Sequence, residues 1–241
     1  MRIDKVLSNS GFGSRKEVKK LLKSKFVTVN GNITTDGKVH VDPAVDEIQV
    51  KGKKIEYKEF VYLMMNKPPG VISATEDERE KTVIDLLPVK YIKFRPFPVG
   101  RLDKNTVGLL LLTNDGPLTH RVLSPKKHVE KTYFAIVDGF VTEEDRICFE
   151  KGIQLDDGYV TKPATLTIKS REKHRSEIEL TITEGKFHQV KRMFEAVNKK
   201  VVYLKRISMG TLILDENLKE GEFRELTEGE ILQLKSSVGL E

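Results

Sequence analysis

The chain has 241 residues, a formal net charge of +6, and 38% hydrophobic against 32% charged residues, which excludes a disordered or fibrous class. No apolar run approaches the roughly 18 residues of a membrane span, and the first residues lack the apolar core and cleavage site of an export signal. A single cysteine, Cys148, rules out an intrachain disulfide, so a soluble cytoplasmic protein of one or two domains with no membrane role is expected.

The positive charge is localised. Residues 1–58 hold 13 Lys and Arg against 7 Asp and Glu, so the whole formal excess lies there, and within residues 1–25 the ratio is 8 to 2. Such a stripe is the footprint of a polyanion-binding module, although a solvated helix face looks the same by charge alone. The spacing of Ile3, Val6 and Leu7 predicts a first helix, broken at Gly11-Phe12-Gly13. Ser14 and Glu17 have the spacing of a capping box, opening a second helix whose apolar face is Val18, Leu21 and Leu22. Arg15, Lys16, Lys19, Lys20 and Lys23 fall largely outside that face. Phe26, Val27 and Val29 lead into Asn30-Gly31, a strong two-residue turn signal, and the strand pattern continues at Val39 and Val41. The polar stretch 50–59 reads as a linker between a domain of residues 1–58 and one of residues 59–241.

Beyond it the pattern is mixed. A strand is expected over 60–65, ended by the rigid loop Asn66-Lys67-Pro68-Pro69-Gly70, and a short helix over 82–87. The buried-looking run 108–113 closes at Asn114-Asp115-Gly116. Helices are expected over 118–123, 143–149 and 187–197, and strands over 132–137, 165–168, 178–183 and 201–214. Thr227 and Glu230 could cap a final helix.

No CxxC, HExxH, Walker A loop or nucleophile elbow occurs, and the five histidines are scattered, so chemistry must come from carboxylates, tyrosines and cations. Asp103 sits in a polar loop between two apolar stretches, a favoured place for a reactive group. On spacing alone the favoured reading is an ordinary solvated loop aspartate paired with Arg101 or Lys104. Lys191 falls on one predicted helical face with Phe187, Val190 and Phe194. A lysine there either meets a carboxylate or runs its stem along the core to reach solvent.

Two families resemble these segments. The two-helix unit and hairpin of residues 1–58, with Arg2-Ile-Asp-Lys-Val, Ser14-Arg15 and Val27-Thr-Val-Asn-Gly31, resemble the S4 RNA-binding domain. That resemblance implies RNA phosphate contacts from Arg2, Arg15, Lys16, Lys19 and Lys20, which position an RNA more than they read its sequence. Gly100-Arg101-Leu102-Asp103 with Thr106, Gly108, Leu109 and Leu110 is similar to the signature of RsuA/RluA-type pseudouridine synthases. Asn66-Lys67-Pro68, Glu130-Lys131-Thr132-Tyr133 and the run from Glu184 to Arg192 follow in the matching order. The implied fold is α+β: a small S4-like αα-hairpin domain, then a catalytic domain on a mixed, mostly antiparallel sheet.

The implied reaction isomerises a uridine to pseudouridine with no cofactor and no metal. Asp103 would be the catalytic carboxylate, acting on C1′, on C6 or on a ribose proton. Tyr133 would pack on a flipped uracil, and Lys191 would pair with Asp103 as a point charge where related enzymes often carry Arg. Arg101, His188, Gln189 and Arg192 are candidates for phosphate or base contacts. The expected partner is ribosomal RNA, met by a monomer. The stretch from His120 to Tyr133 resembles most the branch acting on small-subunit 16S rRNA, with large-subunit 23S rRNA as the alternative. A non-enzymatic ribosome-assembly factor built on the S4 module, or a nucleoside hydrolase, are readings from other classes; the motifs mark no second carboxylate for the hydrolase.

Overall fold

The computed structural model describes residues 1–55 and 57–240; position 56 of the expected linker and position 241 of the expected catalytic domain lie outside the described residues. The chain divides into two compact units, Met1–Val61 with Leu87–Pro96, and Tyr62–Leu86 with the residues from Phe97 onward. No helix among the described residues is long and apolar enough to cross a membrane.

In the first unit, α1 (Ile3–Asn9) and α2 (Arg15–Lys23) precede β1 (Val27–Val29), β2 (Asn32–Ile33), β3 (Ile48–Val50) and β4 (Lys53–Lys54), which pair in the order β2-β1-β3-β4. The expected apolar faces form its core: Ile3, Val6 and Leu7 of α1 meet Val18 and Leu22 of α2 over Val27, Val41, Ile48 and Val50. The Glu17 carboxylate accepts from both the Ser14 N–H and the Ser14 hydroxyl at 2.7 Å, which closes the first turn of α2. Asn30 and Gly31 both take positive φ, 49° and 79°, as the two-residue hairpin turn demands. Arg15, Lys16, Lys19, Lys20 and Lys23 are exposed. The expected linker is partly folded into this unit. Its Lys53 and Lys54 form β4, the Ile55 amide donates to Ile48 O at 2.8 Å, and Tyr57 Oη accepts from Asn9 Nδ2 at 3.2 Å. Apolar Ile55 and Tyr57 within the polar stretch explain this, since both pack on the core. A further short helix, α3 (Val89–Ile92), belongs to the Leu87–Pro96 segment.

The second unit carries β5 (Tyr62–Lys67), β6 (Phe97–Pro98), β7 (Val107–Thr113), α4 (Gly116–Leu123), β8 (Lys131–Asp138), α5 (Glu143–Lys151), β9 (Thr165–Glu172) and β10 (Arg175–Ile182). It continues with α6 (Gln189–Glu195), β11 (Lys200–Met209), β12 (Leu212–Ile213), β13 (Phe223–Glu225) and α7 (Glu228–Ser237). Among the described residues nine strands form one sheet, in the order β13-β5-β7-β11-β8-β10-β9, with β12 on β11 and β6 on β7. Among the described strands of this sheet, only the β7–β11 pair is parallel. The sheet is therefore mixed and mostly antiparallel, as the family resemblance implied.

Every residue of β5 and β7 is buried, which accounts for the apolar runs 62–65 and 109–112 within them. Gly108 opens the parallel junction. Its φ is +99°, and a Cβ there would stand 2.3 Å from Arg206 O, so only glycine lets β11 approach.

Three elements differ from expectation. The strand expected over 60–65 lies at Tyr62–Lys67, carrying Lys67 into the interior. The helix expected over 82–87 is a single 3₁₀ turn, Ile84–Leu86. The helix expected over 187–197 is Gln189–Glu195, because His188 sits at φ 50° in the left-handed region and breaks the helical path. Phe187 consequently leaves the apolar face assigned to it and is 76% exposed.

Candidate active site

Asp103 lies in the loop between β6 and β7, and this loop is fixed from beneath. The Ser73 hydroxyl donates to Leu102 O at 2.9 Å and accepts from the Leu102 N–H at 3.0 Å. The Thr106 amide donates to Asp103 O at 3.0 Å. At the end of β5, Lys67 is fully buried, and its ammonium donates to Pro68 O, Lys104 O and Thr106 O at 3.0, 3.0 and 2.9 Å. An ammonium with three backbone acceptors is well satisfied for a buried cation. Burial nonetheless brings the Lys67 pKa down to about 8, with the Asp103 charge opposing that fall. The rigid Pro68-Pro69-Gly70 turn is tied to the same loop, since the Gly70 amide donates to Lys104 O at 2.9 Å.

The cation facing Asp103 comes from 88 residues further on. Lys191 Nζ donates to Asp103 Oδ2 at 3.0 Å, and the two side chains keep 28% and 27% exposure. Lys191 thus has the carboxylate partner that one reading of its position required. The reason differs from the expected stripe with Phe187: Val190, Met193 and Phe194 form the buried face of α6, Phe194 resting on Phe149 of α5 with ring centroids 5.0 Å apart, and Lys191 stands beside that face. His188 Nε2 lies 3.6 Å from Asp103 Oδ1, longer than a hydrogen bond.

The remaining expected site residues separate into groups. Arg101 is exposed next to the Asp103 loop. Gln189 is buried; it accepts from the Lys186 N–H at 2.9 Å and donates to Glu184 Oε1 at 2.8 Å, so it holds the turn before α6. Arg192 is occupied by Asp156 and Asp157, with its Nε 2.6 Å from Asp156 Oδ1. Tyr133, in β8, is 7% exposed and pairs in register with Arg206 of β11, which also pairs with Gly108. Tyr133 is therefore two strand spacings, about 10 Å, from the strand that Asp103 introduces. In the first unit, Arg2 is engaged with Asp4, its Nε donating at 3.1 Å.

Sequence reasoning missed Arg206, which lies on the strand beside Tyr133, and saw Lys131 only inside a motif. Arg206 is 2% exposed and donates through Nε to Leu109 O at 2.8 Å, while its Nη2 has no hydrogen-bond partner among the described residues. The pKa of Lys131 is brought down to about 8 by burial and by the Arg206 charge. Lys67 was visible only as part of a loop motif. The available signal was a lysine ending an otherwise apolar strand, a place where a charge must find internal acceptors.

A carboxylate on a braced loop, paired with a lysine from a distant helix and partly open to solvent, is an arrangement able to support carboxylate chemistry. The sequence model of the family described as RNA pseudouridylate synthase matches residues 61–196, and that of the S4 domain matches residues 1–46. An uncharacterized RNA pseudouridine synthase, YtzG, of Bacillus subtilis is 55% identical over 231 residues, covering 96% of this chain and 97% of its own. The ribosomal large subunit pseudouridine synthase B of the same organism is 42% identical, covering 98% and 96%. The ribosomal small subunit pseudouridine synthase A of Yersinia pestis is 39% identical, covering 96% and 97%. A crystal structure of a pseudouridylate synthase superposes with a TM-score of 0.67 at 36% identity, covering 97% of this chain and 99% of that one. This chain belongs to the RNA pseudouridine synthase family and carries an S4 domain; it is an RNA uridine isomerase.

Proposed function

We propose that the chain converts one uridine of 16S rRNA to pseudouridine, with Asp103 as the catalytic carboxylate, Lys191 as its counter-charge and Tyr133 as the ring that packs on the uracil. The observation that carries the catalytic assignment is the Lys191–Asp103 contact of 3.0 Å, which sets a cation against a carboxylate at a partly exposed position. The isomerisation breaks the N1–C1′ bond and forms a C5–C1′ bond. N1 gains a proton and the C5 hydrogen passes to water, so one carboxylate and water balance the reaction. A uridine stacked in RNA cannot reach a carboxylate on a protein loop, so the base must be flipped out first.

Residues 1–58 act as the RNA-binding module and residues 59–241 as the catalytic domain, in a cytoplasmic monomer. Exposed Arg15, Lys16, Lys19 and Lys20 supply phosphate contacts. The 16S assignment rests on the stretch from His120 to Tyr133 and is supported by the small-subunit relative. The large-subunit relative, at slightly higher identity, favours 23S rRNA as the second reading. Mapping pseudouridines in rRNA from cells with and without the protein tests both. A 16S position that loses its modification supports the proposal, and loss confined to 23S rRNA replaces it with the second reading.

A further inference from the structure

Phe187 is a large apolar ring left 76% exposed beside the Asp103–Lys191 pair, where folding recovers little of its hydrophobic free energy. It lies flat on the His188 imidazole, with ring centroids 3.8 Å and planes 17° apart. His188 in turn reaches to 3.6 Å from Asp103. One face of the Phe187 ring is thus backed by a second ring that abuts the catalytic carboxylate.

The backbone beneath the pair is fixed. His188 holds φ 50°, the Gln189 side chain bridges the Lys186 amide and Glu184, and Arg192 donates from its amide to His188 O at 3.0 Å and from Nη1 to Phe187 O at 3.4 Å. Lys186 precedes it in sequence with its ammonium over the Tyr159 ring, 4.3 Å from the centroid, while Lys191 and Arg192, which follow, are engaged with Asp103 and with Asp156 and Asp157. An exposed aromatic face on a fixed backbone is the arrangement by which proteins stack an unpaired base.

We propose that Phe187, backed by His188, is a stacking platform for the nucleobase adjacent to the target uridine, and so a positioning and specificity residue for the reaction. Flipping a uridine removes the stacking partner of its neighbour, and the Phe187 ring replaces it. This rests on the reading of rRNA as substrate.

The chain contains no tryptophan, which allows a direct test. In the Phe187→Trp variant, indole emission should be quenched when an in vitro 16S or 23S transcript binds. Emission from Phe140→Trp, at a 53% exposed position beyond the far end of β8, should change little. Phe187→Leu should stay folded, because the ring is exposed, and should lower kcat/KM by roughly 5- to 150-fold, mainly through KM. Phe187→Tyr should restore it. Unchanged emission of Phe187→Trp on protein shown by filter binding to hold RNA, or a Phe187→Leu enzyme with wild-type kcat/KM, would overturn the platform. The fluorescence reads binding rather than turnover, so it decides the platform even where the wild-type chain forms no pseudouridine on either transcript. That last outcome strikes the rRNA assignment alone.

Discussion

Replacing Lys191 with methionine keeps the stem beside the packed face of α6 and removes only the charge 3.0 Å from Asp103 Oδ2. Two unit charges at that separation interact by about 5–6 kcal/mol at an effective dielectric of ~20. With both groups about a quarter exposed, water screens part of this, and removal of one preorganised electrostatic group from an active site typically costs about 10²–10³-fold in rate. Lys191→Met should therefore lower single-turnover kcat by about 10²- to 10³-fold and leave RNA affinity within about threefold. The assay is release of label from a [5-³H]uridine transcript, since the C5 hydrogen must leave, with filter binding for affinity. Lys191→Arg, which keeps a cation in reach, should retain most of the rate. Lys151→Met, at an exposed position in the last turn of α5, is the control. Lys199 is unsuitable as one, because it forms a largely buried ion pair with Asp145 at 2.8 Å. A Lys191→Met enzyme within threefold of wild type, or one impaired only in KM, would refute a counter-charge acting in the chemical step.

Lys67→Met should lower Tm by about 6–20 °C, from roughly 3–5 kcal/mol for removing one partner of a buried polar network at about 2–4 °C per kcal/mol, and calorimetry reads it. Because burial brings Lys67 to about 8, below the usual lysine value of 10.5, the folded chain releases this proton first between those pH values, and this group's contribution to stability rises across that window. The rate should instead fall above about pH 8, as the ammonium bracing the Asp103 loop is lost; a profile flat to about pH 9.5 would contradict this. Gly108→Ala should cost about 2–5 kcal/mol, because the new Cβ meets Arg206 O at 2.3 Å with φ +99°, and denaturant titration would show it. Converting Lys16, Lys19 and Lys20 together to Gln should reduce the log–log salt slope of RNA binding by about 2–3 while sparing kcat at saturating RNA; an unchanged slope would remove the α2 face from the RNA contact.

The parts of the fold governed by neighbours in sequence were legible. The Ser14–Glu17 box, the Asn30-Gly31 turn and the apolar runs of β5 and β7 need only local chemistry, and each appears where the pattern put it, to within a few residues. Asp103 could be marked out only by resemblance, because a loop aspartate has no signature of its own. Its geometry depends on Lys67, Ser73 and Lys191, which are distant in the chain. The Phe187 reading failed for a backbone reason. Helical spacing continued through His188, but His188 takes a left-handed conformation, and no periodicity records that. Arg206 was missed and Lys131 was visible only within a motif, because burial of a charge depends on which strands become neighbours, and the β7–β11–β8 order is not written in any one of them.

The central claim is that Asp103 is the carboxylate by which this chain isomerises uridine. Its most direct test is pseudouridine mapping and tritium release on [5-³H]uridine-labelled 16S transcript with wild type and Asp103→Asn, the amide keeping the shape and losing the charge. Wild type should release label with the appearance of one pseudouridine, and Asp103→Asn, folded and binding the RNA with near wild-type affinity, should do neither. Readily measured pseudouridine from the Asp103→Asn protein would contradict the assignment.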